Sequence, residues 1–143
     1  MRDKSLQTFL PFPDFKQSAK VLDYRRLGKQ RLEAYQLIIF IEEGRESWKN
    51  HPAKLMWVGY TNLLKVYLNV MIKEWISRGY KNTIIVPAFT GTHLVSPNWL
   101  GDERLHSSHR AALLAKNYNY YSKFEWKEKP KIDYYWPVRK SND

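Results

Sequence analysis

The chain has 143 residues, no cysteine, and a net charge of +10 from 24 Lys and Arg against 14 Asp and Glu. This length indicates a single domain, and the lack of cysteine excludes disulfides, thiolate nucleophiles and cysteine metal sites. The excess of positive charge indicates a polyanionic partner, with nucleic acid as the first candidate and an anionic membrane surface as the second.

The N-terminus, MRDKSLQTFLPF, has no apolar signal core, and no segment reaches the ~18 apolar residues of a membrane span. We therefore expect an intracellular, cytoplasmic protein. Aromatic residues make up 15% of the chain, more than a small core usually needs. Some of them are expected to face solvent or a ligand.

The first predicted helix covers PDFKQSAKVLDYRRLGKQRLEAYQLIIFIEEG, residues 13–44, after an extended lead-in over residues 1–13. Asp14 is a good N-cap, and Gly44 stands where a left-handed residue would end the helix. Apolar or small residues at every third or fourth position predict one buried face; these are Val21, Tyr24, Gly28, Leu32, Tyr35 and Ile39. A second face carries the polar residues Asp23, Arg26, Gln30 and Glu33.

A loop with a short helical piece at Pro52 leads to a second main helix, from about Thr61, a possible cap, to Arg78, with Gly79 as its stop. Residues 83–86 are predicted to form a buried loop and not a strand, because Pro87 would end a strand there and no partner strand is evident. A third main helix starts near Asp102 and runs to about Lys116. The prediction is an all-α single domain, residues 1–143, of three main helices with long irregular connections and an aromatic-rich C-terminal tail.

Four cations lie at the middle of the first predicted helix: Arg25, Arg26, Lys29 and Arg31. Arginine grips phosphate through a forked set of donors, and the spacing of Arg25 and Lys29 places them on one side of the helix. These residues, with Arg110 and Lys116, are candidates for phosphate contacts. The alternative is a solvated face whose cations pair with Asp23 and Glu33.

The segment WLGDERLHSSHR brings two histidines and two carboxylates together. Histidine titrates near neutrality, so His106, His109, Asp102 and Glu103 are candidates for general acid and base groups. The two histidines have a spacing that zinc could use, but a third ligand would have to come from His51 or His93, and we predict no metal and no other cofactor. The remaining alternatives are hydrogen bonds to phosphate or to the first helix, and helix-stabilising polar residues.

The tail alternates aromatic residues with lysines, a composition that suits stacking on bases together with phosphate contacts. The candidates here are Tyr118, Tyr120, Tyr121 and Lys123. The alternative is ordinary packing of these rings against the helices.

The chain resembles the pyrimidine-dimer DNA glycosylase/AP lyase family of the endonuclease V type. LDYRRLGKQRLEA is similar to the first-helix signature of that family, LNVMIKEWISRGYKN to its second helix, and HRAALLAKNYNYYSKF to its third helix and the aromatic segment after it. QTFLPFPDF, NHPAKLMW and WLGDERLHSSHR resemble more closely a bacterial and viral branch grouped with these enzymes. The likeness spans nearly the whole chain.

The resemblance implies a compact three-helix fold without a sheet that binds UV-damaged duplex DNA. In the family the N-terminal amine attacks the sugar C1′, forms a Schiff base and nicks the strand by β-elimination. An α-amine suits this step, because its pKa near 8 leaves a useful fraction neutral at pH 7. A glutamate early in the first helix stabilises the developing sugar cation, and neighbouring arginines hold phosphates.

Two positions depart from the family pattern. Arg26 stands where the catalytic glutamate is expected, and an arginine would repel a sugar cation; Asp23, Glu33, Asp102 or Glu103 are possible substitutes. The chain also begins Met1-Arg2, and bulky Arg2 is expected to keep Met1 in place.

The leading hypothesis is an N-glycosylase with AP lyase activity on damaged or modified duplex DNA, with His106, His109, Asp102, Glu103 and Arg26 nearest the chemistry and no obligate protein partner. The alternatives are a non-catalytic nucleic-acid-binding module and an enzyme acting on a small nucleotide or phosphorylated substrate.

Overall fold

The computed structural model describes residues 6–138, which form six α-helices and one short 3₁₀-helix. The α-helices are α1 (Phe15–Val21), α2 (Tyr24–Glu42), α3 (Pro52–Leu55), α4 (Thr61–Ser77), α5 (Glu103–Lys116) and α6 (Tyr118–Tyr121), and the 3₁₀-helix is Ser122–Phe124. This stretch contains no β-strand. The predicted all-α fold with three main helices is confirmed, and α2, α4 and α5 are the three.

The first predicted helix is not continuous, and this part of the prediction was wrong. Leu22 and Asp23 are extended, with ψ angles of 135° and 166°, and they separate α1 from α2. The N–H of Asp23 donates to the Tyr121 hydroxyl at 2.9 Å, so a contact with the C-terminal segment takes the place of a helical hydrogen bond. The buried Leu22 side chain fixes the same corner in the core.

The predicted buried face of this segment was also wrong. Tyr24 is 56% exposed and Leu32 51% exposed, whereas Gln30 and Glu33 are buried with Leu27. The helix is rotated so that part of its polar face points inward. Apolar spacing alone could not distinguish the two orientations, because Leu27, Ala34, Leu37 and Ile38 form a second apolar set that packs in the core.

Most of the other predicted helix ends agree with the structure. Gly44 and Gly79 follow α2 and α4 with φ angles of 65° and 94°, the left-handed conformation that glycine adopts without strain. Asp102 caps α5 by accepting the N–H of Arg104 at 3.0 Å. The residue at the N-cap position of α4 is Tyr60, and the predicted cap Thr61 is the first helical residue.

The core lies between α2 and α4, which pack along each other while α1 packs on α4. Trp57, Tyr67 and Leu68 are fully buried there. Residues 6–11 run through this core as a buried segment without regular secondary structure. The placement of this lead-in decides the shape of the site.

The connection between α4 and α5 is more exposed than predicted. Residues 83–86 form a loop as expected, but Ile85 is 82% exposed and the stretch is not buried. Its far end is fixed by Lys65, whose fully buried ammonium donates to Glu42 Oε2 at 2.6 Å and to the Ala88 carbonyl at 2.7 Å. A buried lysine therefore ties this loop to α2 and α4.

Candidate functional site

The inward-facing polar side of α2 lines a cavity of about 290 Å³, which we call the basic cleft. Its lining residues are Phe9, Arg25, Arg26, Lys29, Gln30, Glu33 and Lys116. Four of the seven are cations and one is an acid. The cleft is open to solvent on the side of Arg25 and Lys29, which are exposed.

Gln30 builds the floor of the basic cleft by fastening the lead-in to α2. Its Oε1 accepts the N–H of Phe9 at 2.8 Å, and its Nε2 donates to the Gln7 carbonyl at 3.1 Å. The Tyr67 hydroxyl donates to the same Oε1 at 2.6 Å. Burial raises the pKa of Tyr67 well above its usual value, so the hydroxyl keeps the proton that it donates.

Glu33 is the acid among the residues that line the cleft. It is 8% exposed, its Oε1 accepts the N–H of Gln7 at 3.2 Å, and its Oε2 lies 3.5 Å from Lys29 Nζ. This buried carboxylate therefore contacts one backbone donor and one cation. The cleft thus combines a cationic rim with an anionic group at its base.

Arg26 is held in the cleft wall through a chain of buried polar contacts. Its Nη1 donates to Asp23 Oδ2 at 3.1 Å, and the Tyr121 hydroxyl donates a short hydrogen bond to the other oxygen of Asp23. Burial and this hydrogen bond raise the pKa of Tyr121. Tyr121 is fully buried, so it positions Asp23 and Arg26 and is not available to stack on a base.

The two histidines of α5 both bind the backbone of Leu10. His106 Nδ1 donates to the Leu10 carbonyl at 2.7 Å, and His106 Nε2 accepts the N–H of Gly101 at 2.9 Å. His109 Nδ1 accepts the N–H of Leu10 at 2.8 Å. Burial lowers the pKa of His109 to about 3 and also lowers that of His106. Both rings are neutral at pH 7, and their contacts favour a structural role over acid–base catalysis.

The two acidic residues of this segment form ion pairs away from the basic cleft, Glu103 with Arg110 and Asp102 with Arg104. Arg110 donates to the Pro11 carbonyl at 2.7 Å, lies 2.8 Å from Glu128 Oε2, and forms a short ion pair with Glu103. Asp102 caps α5 and pairs with Arg104 at 2.8 Å. The guanidinium of Arg110 is therefore occupied by acids and a carbonyl of the protein itself.

The remaining candidates are spread over the surface. Arg31 lies 4.3 Å above the Trp75 ring and donates to Asn82 Oδ1 at 2.7 Å. Tyr118 is 57% exposed, while Lys123 lies over the half-buried Tyr120 ring at 4.0 Å. None of them lines the basic cleft. The amine of Met1, to which the resemblance gives the nucleophilic role, lies outside the described residues.

The structure thus brings together Arg25, Arg26, Lys29 and Lys116 from the predicted set. Sequence reasoning did not include Phe9 and Gln30 among the site residues, and it named Glu33 only as a possible substitute for the family glutamate. A signal existed for two of them, because Gln30 and Glu33 recur with Asp23 and Arg26 on one helical face. Phe9 gave no such signal, since its position depends on how the lead-in crosses the core.

Within residues 6–138, no three histidines or acids lie close enough to hold a metal ion. None of the helices in this range is both long and apolar enough to cross a membrane.

A family model described as pyrimidine dimer DNA glycosylase matches residues 6–87. This range includes the lead-in, α1, α2, α3 and α4, and so all of the cleft except Lys116. No curated protein and no solved structure gave a significant match.

Proposed function

Because the chain belongs to the pyrimidine dimer DNA glycosylase family, we propose that it removes a damaged or modified base from duplex DNA, with Glu33 as the catalytic carboxylate. The observation that carries this proposal is the buried Glu33 in a cleft whose other charged residues are cations. The position after Arg25, where the resemblance expects the catalytic glutamate, holds Arg26. Glu33 supplies a carboxylate to the same cleft from two helical turns further along α2.

The chemistry needs a negative group beside the sugar. As the bond between C1′ and the base nitrogen breaks, its electron pair leaves with the base, and positive charge develops at C1′. The Glu33 carboxylate stabilises that charge, because a charged group that the fold already holds in place does not have to reorient during the reaction. Arg25, Lys29 and Lys116 hold the phosphates on either side.

The nucleophile at C1′ is either water or an amine. Water gives an abasic site and loses one proton, which the departing base takes up. An amine gives a Schiff base, and loss of a C2′ proton then expels the 3′ phosphate, which is the AP lyase reaction. The amine candidates are the α-amine of Met1 and the side chains of Lys29 and Lys116, which line the cleft.

The test uses duplexes that carry a pyrimidine dimer, an oxidised pyrimidine or an alkylated base. We expect the wild-type protein to release a base from at least one of them, and Glu33→Gln to lower the rate by about 100-fold or more. Because Glu33→Gln removes a negative charge from a cationic cleft, DNA affinity is expected to be unchanged or higher. Glu46→Gln, at an exposed surface position, is the control and keeps full activity.

Borohydride added during the reaction distinguishes the two nucleophiles, since it traps a Schiff base as a covalent adduct. An adduct that Lys29→Ala or Lys116→Ala abolishes identifies the amine, and an adduct that survives both indicates Met1. Base release without an adduct assigns the nucleophile to water.

The second candidate is a non-catalytic DNA-binding module, which the arginine at position 26 favours. DNA binding that falls steeply with salt, with no base released from any lesion duplex, would support the module and contradict the glycosylase proposal.

A further inference from the structure

An exposed group of aromatic rings lies on the other side of α2 from Glu33. Tyr24 stacks on Trp75 with ring centroids 5.4 Å apart and an interplanar angle of 22°, and Tyr80 lies 5.0 Å from Tyr24 and 4.4 Å from Trp75. We call these three residues the aromatic platform. Trp75 is 8% exposed, but Tyr24 is 56% and Tyr80 39% exposed. The outer rings therefore face solvent while the central ring anchors them.

The platform is fixed by the packing of α2 against α4. A side chain at Gly28 would place its Cβ 3.2 Å from two carbons of the Trp75 ring, so the absence of a side chain there lets the indole lie directly on α2. Arg31, one turn beyond Gly28, covers Trp75 at 4.3 Å. The indole Nε1 donates to the Lys81 carbonyl at 2.8 Å. Trp75 is thus held by Gly28, Arg31 and the Lys81 carbonyl, and it gives Tyr24 a rigid support.

Positive charge borders the exposed rings. Arg25 follows Tyr24 directly, and Lys81 follows Tyr80; both side chains are exposed. Successive residues on a helix are 100° apart. Arg25 therefore lies on the exposed side of α2, between the aromatic platform and the basic cleft, and it also lines the cleft. A DNA strand whose phosphates contact Arg25 would pass beside Tyr24.

Exposed rings bordered by cations match the surface chemistry of a strand with unpaired bases. Aromatic side chains bind such bases by stacking on their flat faces, while neighbouring cations contact the phosphates. In an intact duplex those faces are covered by neighbouring base pairs, so a stacking surface has nothing to bind. This difference separates the platform from the basic cleft, whose cations contact phosphates of either form.

We propose that the aromatic platform binds unpaired bases of single-stranded DNA, so that the protein holds single-stranded or gapped regions in addition to the duplex. The inference rests on the proposed function only in taking DNA as the partner. Tyr24 is the stacking residue, Tyr80 and Trp75 support it, and Arg25 contacts the adjoining phosphate.

The test measures binding of a labelled oligothymidine and of a fully paired duplex of equal length at one fixed salt concentration. Tyr24→Leu is expected to weaken oligothymidine binding by roughly 5- to 100-fold, the range that loss of one stacked base produces, and to leave duplex binding unchanged. Tyr24→Phe keeps the ring and should bind as the wild type does. Phe89→Leu removes another exposed ring, 47% exposed and outside the platform, and serves as the matched control.

Circular dichroism and the unfolding midpoint of each variant show whether it is folded. The proposal is overturned if Tyr24→Leu binds oligothymidine as tightly as the wild type, if Phe89→Leu weakens it equally, or if Tyr24→Leu weakens duplex binding to the same extent. Base release from a lesion duplex is measured on the same wild-type preparation. Base release without oligothymidine binding overturns the platform alone, and oligothymidine binding without base release overturns the glycosylase proposal alone.

Discussion

Both histidines of α5 direct a ring nitrogen to the backbone of Leu10, one to its carbonyl and the other to its N–H. The pair therefore satisfies the two polar groups of a residue that crosses the core without a sheet or helix around it. Because Nδ1 of His109 accepts a hydrogen bond, the neutral ring carries its proton on Nε2, which is buried and has no hydrogen-bond partner among residues 6–138. A second proton would have to bind at Nδ1 in place of the Leu10 N–H and would bury a charge, which is costly. Protonation of His109 is for this reason expected to destabilise the folded core.

The pH dependence of stability follows from His109. Its pKa is about 3 in the folded protein against 6.5 for the free side chain, so the unfolded state binds more protons between these values. The free energy of unfolding should then fall as the pH drops from about 6.5 towards 3, by up to ~1.4 kcal/mol per pH unit. Urea denaturation of the wild type and of His109→Asn at pH 7, 5.5 and 4.5 measures this slope.

Asn at position 109 keeps an acceptor for the N–H of Leu10 but does not titrate. The wild type should lose stability more steeply than the variant over this range. Equal slopes for the two proteins would contradict a neutral, buried His109.

At the scale of secondary-structure elements, Arg110 joins three parts of the chain. It connects α5 to the lead-in through the Pro11 carbonyl and to the tail through Glu128. The tail also contacts α5 through the Lys131 N–H, which donates to the Ala111 carbonyl, and the Tyr135 N–H, which donates to Ser108 Oγ. Arg110 thus holds both the lead-in and the tail against α5.

Arg110→Gln is expected to destabilise the protein by about 2–4 kcal/mol, because it leaves the largely buried Glu128 carboxylate without its cation. Arg104→Gln breaks an ion pair whose arginine is 71% exposed and should cost less than about 1 kcal/mol. Urea denaturation of both variants checks the contrast on a single helix. A loss of DNA affinity in Arg110→Gln with no loss of stability would instead support the predicted phosphate contact.

At the scale of the whole molecule, the charge of +10 is distributed unevenly. Several surface cations, among them Arg45, Lys49 and Lys131, pair with neighbouring acids. In the part of the chain that the structure describes, four cations and one acid, Glu33, line the basic cleft, and the cation Arg26 pairs with Asp23. The cleft therefore carries an excess of positive charge, which attracts a polyanion.

The salt dependence of duplex binding tests this distribution. Each phosphate contact contributes about 0.9 to the slope of log K against log salt concentration. The combined change Arg25→Gln, Lys29→Gln and Lys116→Gln should lower the slope by roughly 2–3. The combined change Arg45→Gln, Lys49→Gln and Lys131→Gln alters the net charge equally and should change the slope by less than about 1. Similar slopes for the two triple variants would show that net charge, and not the cleft, determines binding.

The sequence by itself determined the elements whose causes are local. Gly79 predicted the end of α4 and Asp102 the start of α5, because a left-handed glycine and a capping carboxylate act within one helical turn. The mid-helix cations and the family resemblance likewise pointed to α2 as the functional helix.

Only the tertiary structure decided the break at Leu22–Asp23, the side of α2 that faces inward, and the membership of the cleft. The partner of Asp23 is Tyr121, 98 residues away in sequence, and the partner of Gln30 is the backbone of a lead-in with no periodicity of its own. Helical spacing predicts which residues share a face, but which face is buried depends on what the rest of the chain packs against it. This is why the sequence left Glu33 as either an ion-pair partner or a substitute for the family glutamate, whereas the folded protein brings it to the base of the cleft beside Lys29.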